Sequence, residues 1–356
     1  MLDVACELPR REFTIHASFS VRPGERLALF GPSGSGKTSI LETIAGLVQP
    51  GRGHVVLNGR TLTRADGRKV VQVPPWTRRV GLLRQDPALF PHLTVRENIR
   101  YSHAAAQAGE AAVWDMAERL EIAHLLEQRS RSVSGGQAHR VALARLLMAD
   151  HDVLLLDEPY TGLDARLRRV LTDVVREEAR ARSVPSILVA HELVEAQAFA
   201  DRVAILDAGR ILQVGTPAEV ARRPATRRVA ELLGYLGFVP SSLIPAQASR
   251  HIPPPGGVAI GVHPERTRPG STPDQGVVLR GVTSDTRPAG TGWEVDLSLW
   301  GGDQDVHLTC RVADDPPAVG SGFVVTVVDP PWFDRGGDLV PSVGREAVGR
   351  GPLAEP

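Results

Sequence analysis

A chain of 356 residues with 42% apolar and 23% charged content is long enough for two domains with separate cores. Its formal net charge is zero, which argues against bulk electrostatic attraction to nucleic acid or to an anionic membrane surface. Cys6 and Cys310 are too few for a disulfide framework and fit a reducing cytoplasm. The N-terminus lacks the layout of a signal peptide, and no apolar run approaches the ~20 residues that span a bilayer, so a membrane role requires a separate membrane-embedded partner.

In chain order, Phe13-Thr14-Ile15-His16-Ala17-Ser18-Phe19 reads as an alternating strand, and residues 26–30 as an apolar one. Next comes Gly31-Pro32-Ser33-Gly34-Ser35-Gly36-Lys37-Thr38, with Ser39 behind it, ahead of a helix expected to start near Lys37. Glycines there let backbone N–H groups turn inward around an anion, and the helix aims its positive end at the same point. Lys37 reaches terminal phosphates and Thr38 offers a hydroxyl to magnesium. The only lysines are Lys37 and Lys69, so a basic complement that is otherwise all arginine keeps one compact ammonium in this loop.

Gln85 opens a stretch in which Phe90, Pro91 and Leu93 form an apolar knob at a polar rim, followed by a helix from near Thr94. Residues 110–128 read as helical. Val133-Ser134-Gly135-Gly136-Gln137 then leads into a helix whose face carries Val141, Leu143, Ala144, Leu146 and Leu147, with Ser134 as its N-cap. A hydroxyl, two glycines and a helix N-terminus make a second anion site.

Val153-Leu154-Leu155-Leu156 is a buried-strand run ending in Asp157-Glu158-Pro159. Carboxylates at such a strand end reach the ligand crevice of an α/β sheet. Asp157 is expected in the magnesium shell, and Glu158 is placed to polarise the water that attacks a terminal phosphate. Thr161-Gly162-Leu163-Asp164 follows, and His191 stands after the strand Ile187-Leu188-Val189-Ala190.

These segments together resemble the ATP-binding subunit of ABC transporters. Residues 31–38 match Walker A, 154–158 Walker B, 133–137 the signature with Val133 in place of leucine, Gln85 the Q-loop, 161–164 the D-loop and His191 the switch histidine. The resemblance implies ATP and Mg2+ as ligands, held by Gly31, Pro32, Ser33, Gly34, Ser35, Gly36, Lys37, Thr38, Ser39, Ser134, Gly135, Gly136, Gln137 and Asp164. Thr38, Gln85 and Asp157 would serve the metal. Glu158, His191 and Gln85 would be catalytic, the base role being divided between Glu158 and His191 in a way the sequence leaves open. The residue that stacks on adenine stays unassigned among Phe13, Arg10 and Arg11.

The family also implies a head-to-tail homodimer, integral membrane permease subunits, an extracytoplasmic solute-binding protein, no nucleic acid, and a place on the cytoplasmic face of the cell membrane. The stretch from Gln85 to Ile99 resembles importers, and most of all molybdate or sulfate importer subunits; ferric-iron, polyamine and sugar importers share much of it. A soluble ABC ATPase of DNA repair or translation is a rival, but it would usually carry two nucleotide domains or long coiled-coil insertions. A regulatory module without hydrolysis would lack Glu158 or the signature.

Past Asp201-Arg202-Val203-Ala204-Ile205-Leu206 the core domain is expected to close near 237, where proline and glycine become frequent, as in Ile252-Pro253-Pro254-Pro255. Alternation at Trp293, Val295, Leu297, Leu299 and at Val306, Leu308, Cys310, Val312, with a further strand at 323–328, predicts a small β-barrel. With His263-Pro264-Glu265 near its Arg-Pro-Glu/Asp segment, this part resembles the TOBE accessory domain. The predicted architecture is therefore an α/β P-loop NTPase core of ABC type at 1–237, with a helical subdomain at about 88–150. An OB/TOBE-like barrel at 238–340 and a tail without regular structure at 341–356 follow.

Overall fold

The computed structural model describes residues 1–160, 162–244, 254–301 and 304–341. Thr161 of the D-loop segment, Ile252 and Pro253 of the proline-rich stretch, and the expected tail from 342 onward lie outside these residues. By packing the chain forms two units, Met1–Ala218 and Glu219–Pro356.

The first unit is built on one eleven-stranded sheet. Its strands are β1 (Leu2–Pro9), β2 (Thr14–Val21), β3 (Arg26–Phe30), β4 (Arg52–Leu57), β5 (Arg60–Asp66), β6 (Val70–Gln72), β7 (Val80–Leu83), β8 (Val153–Asp157), β9 (Ser186–Ala190), β10 (Arg202–Asp207) and β11 (Arg210–Gly215), in the order β6-β5-β4-β1-β2-β11-β10-β3-β9-β8-β7. From β10 to β7 the pairings are parallel. From β2 to β6 they are antiparallel. β1 and β2 alternate between buried and open positions, as half-covered strands do, whereas β8 and β9 are buried at every position, as parallel strands covered on both faces are.

Helix α1 (Lys37–Ala45) follows β3 and buries Ile40, Leu41 and Ile44 in the same core as Leu27, Leu29, Leu155 and Val189. Between β7 and β8 come α2 (Val95–Ile99), α3 (His103–Arg119) and α4 (Gly135–Leu147). Thr94 and Glu97 form a reciprocal capping box on α2. Gly109 leaves the helical region at φ 83°, so α3 is two pieces joined at a kink. α5 (Ala165–Ala181) and α6 (Leu193–Phe199) complete the unit. None of the helices among the described residues is long and apolar enough to cross a membrane.

α7 (Pro217–Arg222) spans the division between the units, and in the second unit α8 (Arg227–Leu232) precedes two antiparallel sheets. The smaller holds β12 (Phe238–Pro240), β13 (Ala259–Gly261), β19 (Trp332–Phe333) and β20 (Leu339–Val340). The larger runs β14 (Thr267–Pro269), β18 (Gly322–Val328), β15 (Gly276–Ala289), β16 (Gly292–Gly301), β17 (Gln304–Val312). Val277, Leu279, Val295, Leu297, Leu308, Val325 and Trp332 share one core. The edge strands β14 and β17 approach each other, for the Arg311 backbone N–H donates to Thr267 Oγ1 at 3.0 Å, so the larger sheet is curled. Cys6 and Cys310 are both buried and unbridged, in the first and second unit respectively.

Candidate nucleotide site

Because β3, β9 and β8 are adjacent and parallel, their carboxyl ends deliver the residues that follow them to one sheet edge. After β3 comes the glycine loop. Gly34 and Gly36 adopt φ values of 80° and 108°, and a Cβ on Gly36 would lie 2.6 Å from Ile15. At Gly31 a Cβ would lie 1.9 Å from the Leu206 carbonyl oxygen, so the loop can leave the sheet this closely only without a side chain.

Lys37, the first residue of α1, is 5% exposed and folds back so that Nζ donates to the Gly31 and Pro32 carbonyls, each at 2.8 Å. Burial pulls its pKa down, while Glu158 and Asp157 oppose the shift. Thr38 Oγ1 donates to Asp157 Oδ1 at 3.1 Å across the loop-to-strand gap. Burial pushes the Asp157 carboxyl up against the lowering effect of that hydrogen bond. Glu158, one residue past β8, takes the left-handed φ of 52°, unusual for a residue with a Cβ. Its carboxylate touches His191 Nε2 at the end of the neighbouring β9. The His191 backbone N–H donates to Glu195 Oε2 at 3.2 Å, and Arg168 pairs with Glu195 at 3.5 Å. Sequence reasoning missed Glu195; its signal is a carboxylate four residues after the histidine.

The loop fits an anionic ligand on two counts. Ser35 Oγ is buried without a hydrogen-bond partner among the described residues, and the Lys37 ammonium is held by neutral carbonyls in a nearly closed space. For a divalent cation, the facing donors are one hydroxyl and one carboxylate, Thr38 and Asp157. Among the described residues no cluster of three His, Cys, Asp or Glu side chains stands ready to hold a metal alone. That set suits a magnesium ion that shares ligands with phosphate and water. Beside the loop, Arg10, Arg11, Glu12, Phe13 and Ile15 line a cleft with Gly34, Gly36 and Ser39. Phe13 leans against the turn at Gly209, where a Cβ would meet its ring at 2.6 Å, and Phe19 is buried in the core.

The remaining site residues stand apart from this cluster. Gln85 is exposed two residues past β7, the strand beside β8, and no hydrogen bond joins it to the cluster among the described residues. Ser134 caps α4: its Oγ accepts from Gln137 N at 3.3 Å, and Gln137 Oε1 accepts from Ser134 N at 2.8 Å. Gly135 has no atom within 4 Å of a would-be Cβ, so the capped end is open. No hydrogen bond or ion pair links residues 134–137 to residues 31–38 among the described residues. Asp164 caps α5, accepting from Arg166 N and Leu167 N at 2.9 Å, and these backbone donors hold its pKa down.

A glycine loop feeding a helix, a facing Asp-Glu pair and the adjacent parallel strands β3, β9 and β8 define a P-loop nucleotide-binding protein. The model of the ABC transporter family matches residues 15–161. The sulfate/thiosulfate import ATP-binding protein CysA of Mycolicibacterium paratuberculosis is 33% identical over 95% of this chain and 91% of its own. The sn-glycerol-3-phosphate import ATP-binding protein UgpC of Cereibacter sphaeroides is 34% identical over 73% of this chain and 76% of its own. The chain belongs to the ABC transporter ATP-binding family.

CysA 2 of Chromobacterium violaceum is 42% identical over 63% of this chain, which spans 60% of that relative's length. A solved structure of an ATP-binding subunit of an ABC transporter matches with a TM-score of 0.53 and 26% identity, over 62% of this chain and 92% of that one.

Proposed function

We propose that the chain is the ATP-hydrolysing subunit of an import complex. Residues 1–237 would act as one half of a head-to-tail homodimer and residues 238–340 as a TOBE-like accessory domain. One observation carries the reading: Lys37, Thr38, Asp157, Glu158 and His191 converge at one sheet edge, while the open, Ser134-capped end of α4 is joined to none of the loop residues. An anion site left over within one chain is completed by a second copy.

ATP with Mg2+ supplies the terminal phosphoryl group and the metal that neutralises its charge. The chain's own residues do the rest by placement. The loop N–H groups and Lys37 would orient the phosphates, Thr38 and Asp157 would hold the metal shell, and Gln85, which stands apart from them past the end of β7, would join that shell. Glu158 takes the proton of the attacking water, and His191 positions Glu158 and the terminal phosphate. Ser134, Gly135, Gly136, Gln137 and Asp164 serve the facing subunit.

The permease would dock on the surface around Phe90 at the cytoplasmic face of the membrane, with an extracytoplasmic binding protein delivering solute. The relatives are named for sulfate and thiosulfate, molybdate and tungstate, and sn-glycerol-3-phosphate, all of which present tetrahedral oxyanion groups. An oxyanion such as sulfate or molybdate is the solute class we propose. Membrane vesicles holding the chain, its permease and its binding protein test this: ATP-dependent uptake of labelled sulfate or molybdate is expected. Uptake of a sugar, polyamine or ferric iron instead would overturn the solute assignment and leave the ATPase reading standing.

A further inference from the structure

We infer that Arg78 is a positioning residue for the phosphate loop: its buried guanidinium fixes the carboxyl end of α1, and thereby where the other end of that short helix presents Lys37 and Thr38. This rests on the nucleotide reading above.

Arg78 follows a single 3-10 turn (Pro75–Thr77) and is 1% exposed, although it meets no carboxylate among the described residues. Neutral oxygens take all five of its N–H donors. Nε donates to the Val73 carbonyl at 2.8 Å, Nη1 to those of Thr43 and Ile44 at 3.3 and 2.8 Å, and Nη2 to the Leu62 carbonyl at 3.3 Å and to Thr63 Oγ1 at 2.8 Å. Burial draws its pKa down to about 10, still well above neutrality, so the charge is kept.

Two of these acceptors belong to the last turn of α1, at the negative end of its dipole, where Thr43 O also accepts from the Gly46 N–H at 3.1 Å. The others belong to β5 and to the segment after β6, in the antiparallel part of the sheet. Arg78 thus bolts the helix to strands far from it in sequence. The backbone is shaped around the bolt. Gly46 leaves α1 at φ 84°, and a Cβ there would lie 2.4 Å from Arg78 Nε. Gln72 Nε2 secures the same end by donating to the Gly46 carbonyl at 2.6 Å.

A helix of nine residues is about 13 Å long and moves as a rod, so slack at its carboxyl end is passed to Lys37 at its start. Lysine keeps the charge but not the planar fan of five donors, which makes Arg78→Lys the informative change. Thr63→Val, which deletes one buried acceptor and keeps the shape, is the milder one.

Full-length wild type, Arg78→Lys and Thr63→Val are compared at a temperature where circular dichroism shows them folded. The readouts are KM and kcat for ATP hydrolysis and amide exchange of the unliganded chain at residues 40–42, the first protected turn of α1. Arg78→Lys is expected to raise KM about tenfold with a much smaller change in kcat, and to speed exchange in that turn; Thr63→Val should raise KM about threefold. A variant that melts earlier yet keeps wild-type KM and wild-type exchange at 40–42 reduces Arg78 to a stability role and overturns the inference. Should Arg78→Lys not fold, Thr63→Val decides by the same criterion. A wild-type chain that turns over no ATP sinks the nucleotide reading instead, and the exchange measurement still judges the bolt.

Discussion

Glu158 and His191 touch through a carboxylate oxygen and Nε2, although they stand 33 positions apart in the chain, because β8 and β9 are parallel neighbours and each residue stands one position beyond its strand. The left-handed turn at Glu158 aims its carboxylate at the imidazole. Glu158→Gln keeps the shape and the contact but cannot accept a proton from water. It should bind ATP as tightly as wild type and lose turnover by on the order of 10²-fold or more. Equilibrium binding with a fluorescent nucleotide beside steady-state hydrolysis checks both halves. Unchanged hydrolysis would take the general-base role away from Glu158.

Lys37 is nearly buried on two carbonyls, so Lys37→Ala removes the loop's cation and the strap that folds the loop back on itself. ATP affinity should fall by about 10²-fold or more while the chain stays folded, since the ammonium packs against backbone and not in the apolar core. Nucleotide titration alongside thermal unfolding separates the two effects.

Ser134→Arg fills the open end of α4 and should leave ATP affinity of the monomer nearly unchanged while blocking hydrolysis. Mixed with Lys37→Ala, it yields dimers in which one composite site carries both lesions and the other carries neither. Activity should return to a substantial fraction of wild type. Two inactive variants that dimerise and recover nothing would argue against sites shared head to tail.

Phe90 is a clamped anchor on the surface proposed to meet the permease. Its ring lies 4.1 Å from that of Tyr101, with the Arg145 guanidinium 5.0 Å above it, and Asn98 holds its backbone N–H and carbonyl. Phe90→Ala with Leu93→Ala should spare ATP hydrolysis by the free chain and reduce copurification with the permease. Hydrolysis lost in a folded double variant, with docking retained, would assign this loop to the catalytic core.

His151, packed where Gly81 has no side chain, has its pKa lowered to about 4, chiefly by burial and then by Arg182 and Arg79, with Asp150 and Asp152 opposing. A base with a depressed pKa in the folded chain costs nothing above the unfolded value near 6.5. As the pH falls from there towards 4, the unfolded chain takes up a proton that the native one refuses, so stability declines by on the order of 2 kcal/mol. Urea unfolding at pH 7 and pH 5 should show this decline in wild type and a shallower one in His151→Asn. Equal slopes would place the pH dependence elsewhere.

The phosphate loop, the Asp-Glu strand end and the Ser134 cap were legible in the sequence because each rests on backbone demands met by few residue types at fixed spacing. Of the parallel strands, β7, four residues long with Gly81 inside it, was passed over, whereas β3, β8 and β9 were legible as apolar runs. Arg78 was not: one arginine among many carries no local mark of burial, and its acceptors come from residues 43–44, 62–63 and 73. The antiparallel strands β4 to β6 were passed over for a similar reason, since β6 has three residues and β5 is punctuated by charge. The left-handed turn at Glu158 depends on adjacent strand ends and has no signature in composition. Nor does the packing division between Ala218 and Glu219, which precedes the proline- and glycine-rich change after 237.

The two buried thiols give the chain a practical property. Burial lifts Cys6 to about 11 and Cys310 to about 12, so at neutral pH neither offers an appreciable thiolate to an alkylating reagent, nor surface for it to approach. The native protein is thereby a silent background for maleimide chemistry. A single cysteine placed at Trp76, which is 83% exposed, would carry a spectroscopic label alone, and the motion of the first unit during turnover could be followed without deleting either natural cysteine.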